Sequence, residues 1–180
     1  MKKLFNLLLF VIMFSTAHAQ EVPVWKIGKL EQHLKTADKP IIVNFWATFC
    51  KPCVEELPYF LKLAKKYDNA GLQLLLVSLD FSEAHPKARM YALKHNFAER
   101  MVLLDETNAD LFCPKVDSSW SGAIPASLFL NNKTGYRKFY EAQMSPERLE
   151  KEIQSLLTSP NDGKGEVSEA DRLRKTGAGG

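Results

Sequence analysis

Two cysteines three residues apart, within Trp46-Ala47-Thr48-Phe49-Cys50-Lys51-Pro52-Cys53, carry the chemistry most readily read from this chain. They follow the apolar run Ile41-Ile42-Val43-Asn44-Phe45, so both sulfurs fall where a buried strand turns into a helix. A bridge closing so small a loop adds little stability, which makes it chemical rather than structural in character. The nucleophile of disulfide exchange is the thiolate, and a free thiol with a pKa of about 8.5 is mostly protonated near neutrality. A helix beginning at Cys50 aims unpaired backbone N–H groups and its positive dipole end at that sulfur. Lys51 adds a neighbouring charge, and Pro52 sits in the first turn, where its missing N–H costs nothing and its ring stiffens the turn. On one helix face, Cys50 is the exposed sulfur expected to attack, and Cys53, one turn deeper, the one expected to resolve the mixed disulfide. A zinc site would need four ligands, usually from a second cluster. His85 and His95 are ten residues apart and Cys113 is isolated, so no metal is expected.

The elements that must position these sulfurs follow from periodicity. Trp25 to Lys35 has apolar residues at Trp25, Ile27, Leu30 and Leu34, which predicts a short amphipathic helix. Ile41 to Phe45 and Leu72 to Leu79 read as strands buried on both faces, Asn44 being the polar exception. Between them a helix from about Cys50 to Tyr67 should turn Leu57, Phe60, Leu61, Ala64 and Tyr67 inward, with a kink at Pro58 and a stop at Gly71. Pro86 to Asn96 reads as a helix, Met101 to Leu104 as a strand and Asn108 to Phe112 as a helical turn. Ala126 to Leu130 and Tyr136 to Glu141 form a hairpin around Asn131–Gly135, the second strand alternating as an edge does. Ser145 caps a last helix that has Pro146 at its first position and ends near Thr158. Alternating strand and helix segments make an α/β domain.

Residues 1–19 have the pattern of a secretory signal peptide: Lys2 and Lys3, an apolar stretch from Leu4 to Phe14 broken by Asn6, then Ala17-His18-Ala19. The apolar stretch is short for a membrane span, which takes about 20 residues, so no stable span is expected after cleavage, although a retained anchor is the alternative. Without it, 161 residues remain, enough for one domain at 20–158, and the formal charge falls from +3 to +1. That balance points to neither nucleic acid nor an acidic membrane surface. Residues 159–180 are rich in Gly, Ser and charge and are expected to be a disordered tail. No cofactor is implied.

Val43-Asn44-Phe45-Trp46-Ala47-Thr48-Phe49-Cys50-Lys51-Pro52-Cys53, followed by Glu56-Leu57-Pro58 and later by Ile124-Pro125 before Leu128-Phe129-Leu130, resembles the active-site strand, turn and proline loop of the thioredoxin superfamily. With the leader, the resemblance is to the exported TlpA/ResA-like branch and covers residues 22–158. It implies a thioredoxin fold: a central mixed β-sheet flanked by helices, with a helix–strand insertion between the cysteine helix and the cis-proline loop. The 72 residues from Cys53 to Pro125 leave room for that insertion. It implies thiol–disulfide exchange on disulfide-containing exported proteins in a bacterial periplasm, a membrane thiol–disulfide donor that re-reduces the pair, and a monomer. Several relatives reduce apocytochrome c. Carried over by position, Cys50 attacks, Cys53 resolves, and Pro125 is the cis-proline whose loop, with Ile124, pairs with substrate backbone. Trp46, Lys51 and Pro52 belong to the same substrate face. Glu56 matches an acidic residue that exchanges a proton with Cys53, although the helix alone allows it to be a solvated surface charge like Glu55.

Departures from the family pattern bear on the reading. Asn44 stands where cytoplasmic thioredoxins carry a buried Asp, which shifts proton transfer to Glu56 or water. Ala126 follows the proline where a Thr is usual, so substrate preference does not carry over. The same residues could serve an oxidant, and the fold could serve a non-enzymatic assembly module. A peroxide-reducing relative would keep Thr or Ser three residues before the attacking cysteine, where this chain has Ala47. Cys113 and Trp120 read as core residues, His85 and His95 as surface residues, and Lys62, Lys65 and Lys66 as a solvated helix face.

Overall fold

Residues 21–159 are described in the computed structural model. The leader at 1–19 and residues 160–180 of the expected tail lie outside them. The run Ile41–Trp46 is strand β2, buried at every position, and it lies at the centre of the sheet. Such a strand can be apolar throughout because helices cover both faces. Its odd residues Ile41, Val43 and Phe45 enter one core and its even residues Ile42 and Trp46 the other.

Around β2 the sheet is built from β1 (Val24–Trp25), β3 (Gln73–Ser78), β4 (Met101–Leu104), β5 (Ala126–Asn131) and β6 (Tyr136–Tyr140) in the order β1-β4-β3-β2-β5-β6. β1, β4, β3 and β2 run parallel, and β5 and β6 complete the sheet antiparallel, so it is mixed. Helices α1 (Ile27–Thr36) and α4 (Ala109–Val116) cover one face. Helices α2 (Lys51–Lys66), α3 (His85–Lys94) and α5 (Pro146–Thr158) cover the other. The segment from α3 to β4 is the expected insertion, and β4 joins the sheet between β1 and β3. Ser145 caps α5 by accepting from the Arg148 N–H at 3.3 Å, a contact worth about 1 kcal/mol.

Two elements differ from the sequence reading. Trp25 belongs to strand β1, paired with Leu104, and α1 starts only at Ile27, whose N–H is capped by the Glu106 carboxylate at 2.8 Å. Trp25 fits a helical period locally, but its strand partner and the helix cap both lie about eighty residues away. The turn at Asn108 continues as a helix through Pro114 to Val116, because Phe112, Cys113 and Val116 bury one face and the proline lies in the last turn. Helix α2 runs continuously through Pro58.

Candidate active site

β2 delivers its last residue, Trp46, into a tight turn closed by the Cys50 N–H donating to the Ala47 carbonyl at 3.1 Å. The turn is pinned from the neighbouring strand. Asp80, just past β3 and almost wholly buried, accepts from the Thr48 N–H at 3.0 Å, the Thr48 hydroxyl at 2.6 Å and the Ser78 hydroxyl at 2.8 Å. Two of these three bonds come from Thr48, so this carboxylate fixes the residue that precedes Phe49 and Cys50. Asp80 escaped the sequence reading. Its signal is a lone carboxylate at the end of an apolar strand, but its partner lies 32 residues back.

Cys50 is the N-cap of α2 and is disulfide-bonded to Cys53, with 5.3 Å between the Cα atoms. The Cys53 N–H donates to Cys50 Sγ at 3.3 Å, so the helix end points a free amide at the sulfur, as its N-terminal position requires. Cys50 keeps 8% exposure and Cys53 none. Only the first sulfur can be reached from outside, and it is more recessed than its place at the helix start suggested. The Ile124–Pro125 bond is cis, and the Ile124 carbonyl oxygen lies 3.7 Å from Cys50 Sγ. Residues 74 positions apart thus meet at one sulfur.

Glu56, one turn beyond Cys53 on the same inward face, is wholly buried, whereas Glu55 is exposed. The surface-charge alternative is thereby removed. Its Oε1 accepts from Asn44 Nδ2 at 2.8 Å and its Oε2 from the Met144 N–H at 2.9 Å. Asn44 Nδ2 also donates to Ser127 Oγ at 3.1 Å, tying β2, α2 and β5 together at this carboxylate. Burial raises the proton affinity of Glu56 above that of an ordinary carboxylate, and the hydrogen bonds from Met144 and Asn44 only partly oppose it. The arrangement places a carboxyl of raised proton affinity on the same buried face of α2 as the inner cysteine.

The remaining residues separate into surface and core. Lys51 is exposed and lies 3.8 Å from Glu55, which draws its charge toward the helix flank. Pro52 is half-buried at the helix start, and its carbonyl accepts from Gln143 Nε2 at 3.2 Å. Pro125 is buried and Ile124 half-buried. Trp46 has no exposed surface; its ring packs on Tyr91 and Phe97 and supports the turn from beneath, so it cannot touch a substrate in this arrangement. Phe49, which the sequence reading passed over, is the strongly exposed aromatic next to Cys50. Cys113 and Trp120 are core residues, and burial pushes the Cys113 thiol up to about 11. His95 is exposed, but His85 is buried at the start of α3, a correction to its expected surface position. Among the described residues no group of three or more His, Cys, Asp or Glu side chains could hold a metal, and no helix is long and apolar enough to cross a membrane.

Comparison with known proteins agrees with this architecture. The chain is similar to the thiol-disulfide oxidoreductase ResA of Oceanobacillus iheyensis, 44% identical over 123 residues that cover 68% of this chain and 60% of the relative. It is similar also to ResA of Geobacillus thermodenitrificans, 26% identical over 118 residues covering 66% of this chain and 63% of that protein. The chain therefore spans about three-fifths of the length of the curated relatives it matches. Among solved structures, the thioredoxin-related protein of Neisseria meningitidis serogroup B aligns with a TM-score of 0.57 and 22% identity, over 68% of this chain and 89% of the other. That likeness establishes a thioredoxin-like fold. A family model described as AhpC/TSA matches residues 17–133, through both the cysteine turn and the proline loop, and the chain belongs to the AhpC/TSA family.

Proposed function

We propose that the protein is an exported thiol–disulfide oxidoreductase that reduces disulfides of extracytoplasmic proteins through Cys50 and Cys53. The observation that carries this reading is the cysteine pair at the start of α2, with Cys50 alone reachable and facing the Ile124 carbonyl. In the dithiol form the Cys50 thiolate attacks one sulfur of a substrate disulfide. The substrate S–S bond breaks, a Cys50–substrate disulfide forms, and the first substrate thiolate leaves and takes up a proton. The Cys53 thiolate then attacks Cys50 Sγ and releases the second substrate thiol. Two electrons and two protons pass to the substrate, and the protein is left with the Cys50–Cys53 disulfide. A thiol donor at the membrane reverses this by the same exchange.

Glu56 takes the proton from Cys53 as that thiol becomes a nucleophile and returns one when the pair is re-reduced. Its raised proton affinity suits the task, since a carboxyl that titrates nearer neutrality is the better acid–base partner. Ile124 and Pro125, with Lys51 and Pro52 at the start of α2, form the face on which substrate rests. Action in the periplasm follows from the leader pattern at residues 1–19. The names of the relatives support the exchange chemistry, and apocytochrome c is one substrate the family resemblance suggests.

Cys53→Ser tests the scheme, because it removes the resolving thiol and leaves the attacking one. Incubated reduced with a disulfide-bridged peptide, the variant should accumulate a stable adduct through Cys50, visible by intact mass. The double variant Cys50→Ser, Cys53→Ser should form none. An adduct carried on Cys113 instead, or none in the single variant, would contradict the assignment.

A further inference from the structure

The loop that leads into the cis bond is held by groups that the exchange chemistry leaves unused. Glu141, just past the end of β6, accepts from the Ser121 N–H at 3.2 Å, from the Ser121 hydroxyl, and from the Ala123 N–H at 2.8 Å. On the other side, Trp120 Nε1 donates to the Ala123 carbonyl at 2.9 Å. Between these anchors Gly122 has a φ of 99°, where a side chain would be strained and would meet Ala109 Cβ at 3.5 Å and Cys113 Sγ at 3.8 Å. The loop is therefore clamped between a carboxylate and helix α4. Both backbone groups of Ala123 are engaged by the protein itself, and the next carbonyl, that of Ile124, lies 3.7 Å from Cys50 Sγ.

We infer that Glu141 is a positioning residue for disulfide exchange, its carboxylate holding the Ser121–Ile124 loop level with Cys50 and so setting the affinity of the site for polypeptide disulfides that lie along that loop. The inference rests on the exchange reading proposed above. The chemistry of the clamp supports it. Three donors converge on one ionised acceptor, and such bonds are shorter and stronger than neutral ones. Burial pushes the Glu141 carboxyl up, yet the hydrogen bonds from Ser121 and Ala123 outweigh it and hold the group below the usual carboxylate range. The clamp thus holds its carboxylate form more firmly than a free glutamate does. A bridged polypeptide must lay backbone against the loop to bring its sulfur to Cys50, whereas a small dithiol needs only the sulfur. Glu141 therefore discriminates by size and shape of the disulfide partner rather than by tuning the cysteines.

Glu141→Gln and Ser121→Ala test this in the full chain. Gln presents an NH2 group to donors that need an acceptor, and Ala removes one donor while leaving the carboxylate in place. Steady-state exchange with a disulfide-bridged peptide should show KM raised about tenfold in Glu141→Gln, which disturbs every bond of the clamp, and about threefold in Ser121→Ala, which removes only the hydroxyl's bond, with kcat within about twofold. The ratio of the peptide rate to the dithiothreitol rate should fall by the same factors, and the reduction potential of the Cys50–Cys53 pair should not move. Unchanged KM in folded variants overturns the inference, as does a shifted potential with both rates falling together. If Glu141→Gln does not fold, Ser121→Ala decides alone by its KM. A wild-type protein that exchanges with dithiothreitol but with no peptide overturns the exchange reading itself, and this inference with it. A wild type that turns over normally beside unaffected variants overturns only the role of Glu141.

Discussion

Replacing Glu56 by Gln keeps the volume of the side chain and removes its ability to carry a proton. The carboxylate is wholly buried and accepts from Asn44 and from Met144, and it shares with Cys53 the inward face of α2. General acid–base assistance is typically worth a factor of about 10² or more, and about 10² corresponds to about 2.7 kcal/mol of barrier. That loss should fall on one step only, because attack by Cys50 needs no proton from Glu56, whereas attack by Cys53 requires its thiol to be deprotonated. Rapid mixing of the reduced protein with a disulfide-bridged peptide, followed by acid quench and mass analysis, separates the two. Formation of the mixed disulfide should be unchanged within about twofold, and its decay should slow about 10²-fold. The wild-type decay rate should rise with pH through a group titrating above the usual carboxylate range, and the Gln variant should lack that rise. Stability gives an independent check. A carboxyl whose proton affinity is higher in the folded state binds more protons folded than unfolded over the interval between the two values. Wild-type stability should therefore fall as pH rises from the unfolded carboxylate value of about 4.3 through the folded one, and the variant should lack this component. Equal decay rates for wild type and Glu56→Gln at every pH would refute the proton-transfer role.

Other consequences are simpler to read. Asp80→Asn turns an NH2 group toward donors of half-buried Thr48 and buried Ser78; it should cost about 2 kcal/mol and lower Tm by about 4–8 °C in calorimetry. A Tm within a degree or so of wild type would mean the turn does not depend on it. Phe60→Ala on α2 empties a fully buried site facing the sheet and should cost about 3–5 kcal/mol in denaturant unfolding, whereas a loss under 1 kcal/mol would place that ring outside the core. Cys113, with its thiol pushed up to about 11 by burial and by the charges of Glu141 and Asp110, should resist iodoacetamide at pH 8 in the folded, reduced protein. Cys50 should take the label, and prompt alkylation of Cys113 in peptide maps would contradict its place beneath the proline loop.

The parts of the fold legible in the sequence are those written in local pattern. β2 announces itself as an unbroken apolar run, and the cysteine turn follows because a helix must start where the run stops. Ser145-Pro146 marks the start of α5 for the same local reason. Glu56 lies three residues after Cys53 and four before Phe60, both buried, but helix pattern alone also allows a surface charge like Glu55, and only its burial against Asn44 and Met144 separates the two. What stayed hidden depends on partners far along the chain. β1 is two residues long and exists only because Leu103 and Leu104 accept it as a neighbour. Asp80 and Glu141 look like ordinary acidic residues until β3 and β6 bring them to Thr48 and Ser121. The buried position of His85 follows from how the insertion packs back onto the sheet, which no periodicity within α3 expresses.

The central claim is that Cys50 and Cys53 form a reducing pair, and the equilibrium reduction potential of mature protein in defined thiol buffers addresses it most directly. The account predicts a value at or below about −250 mV, in the range of thioredoxin, where the dithiol passes electrons to substrate and needs a dedicated donor. A value near about −120 mV would make the pair a disulfide donor and contradict the proposed direction of transfer.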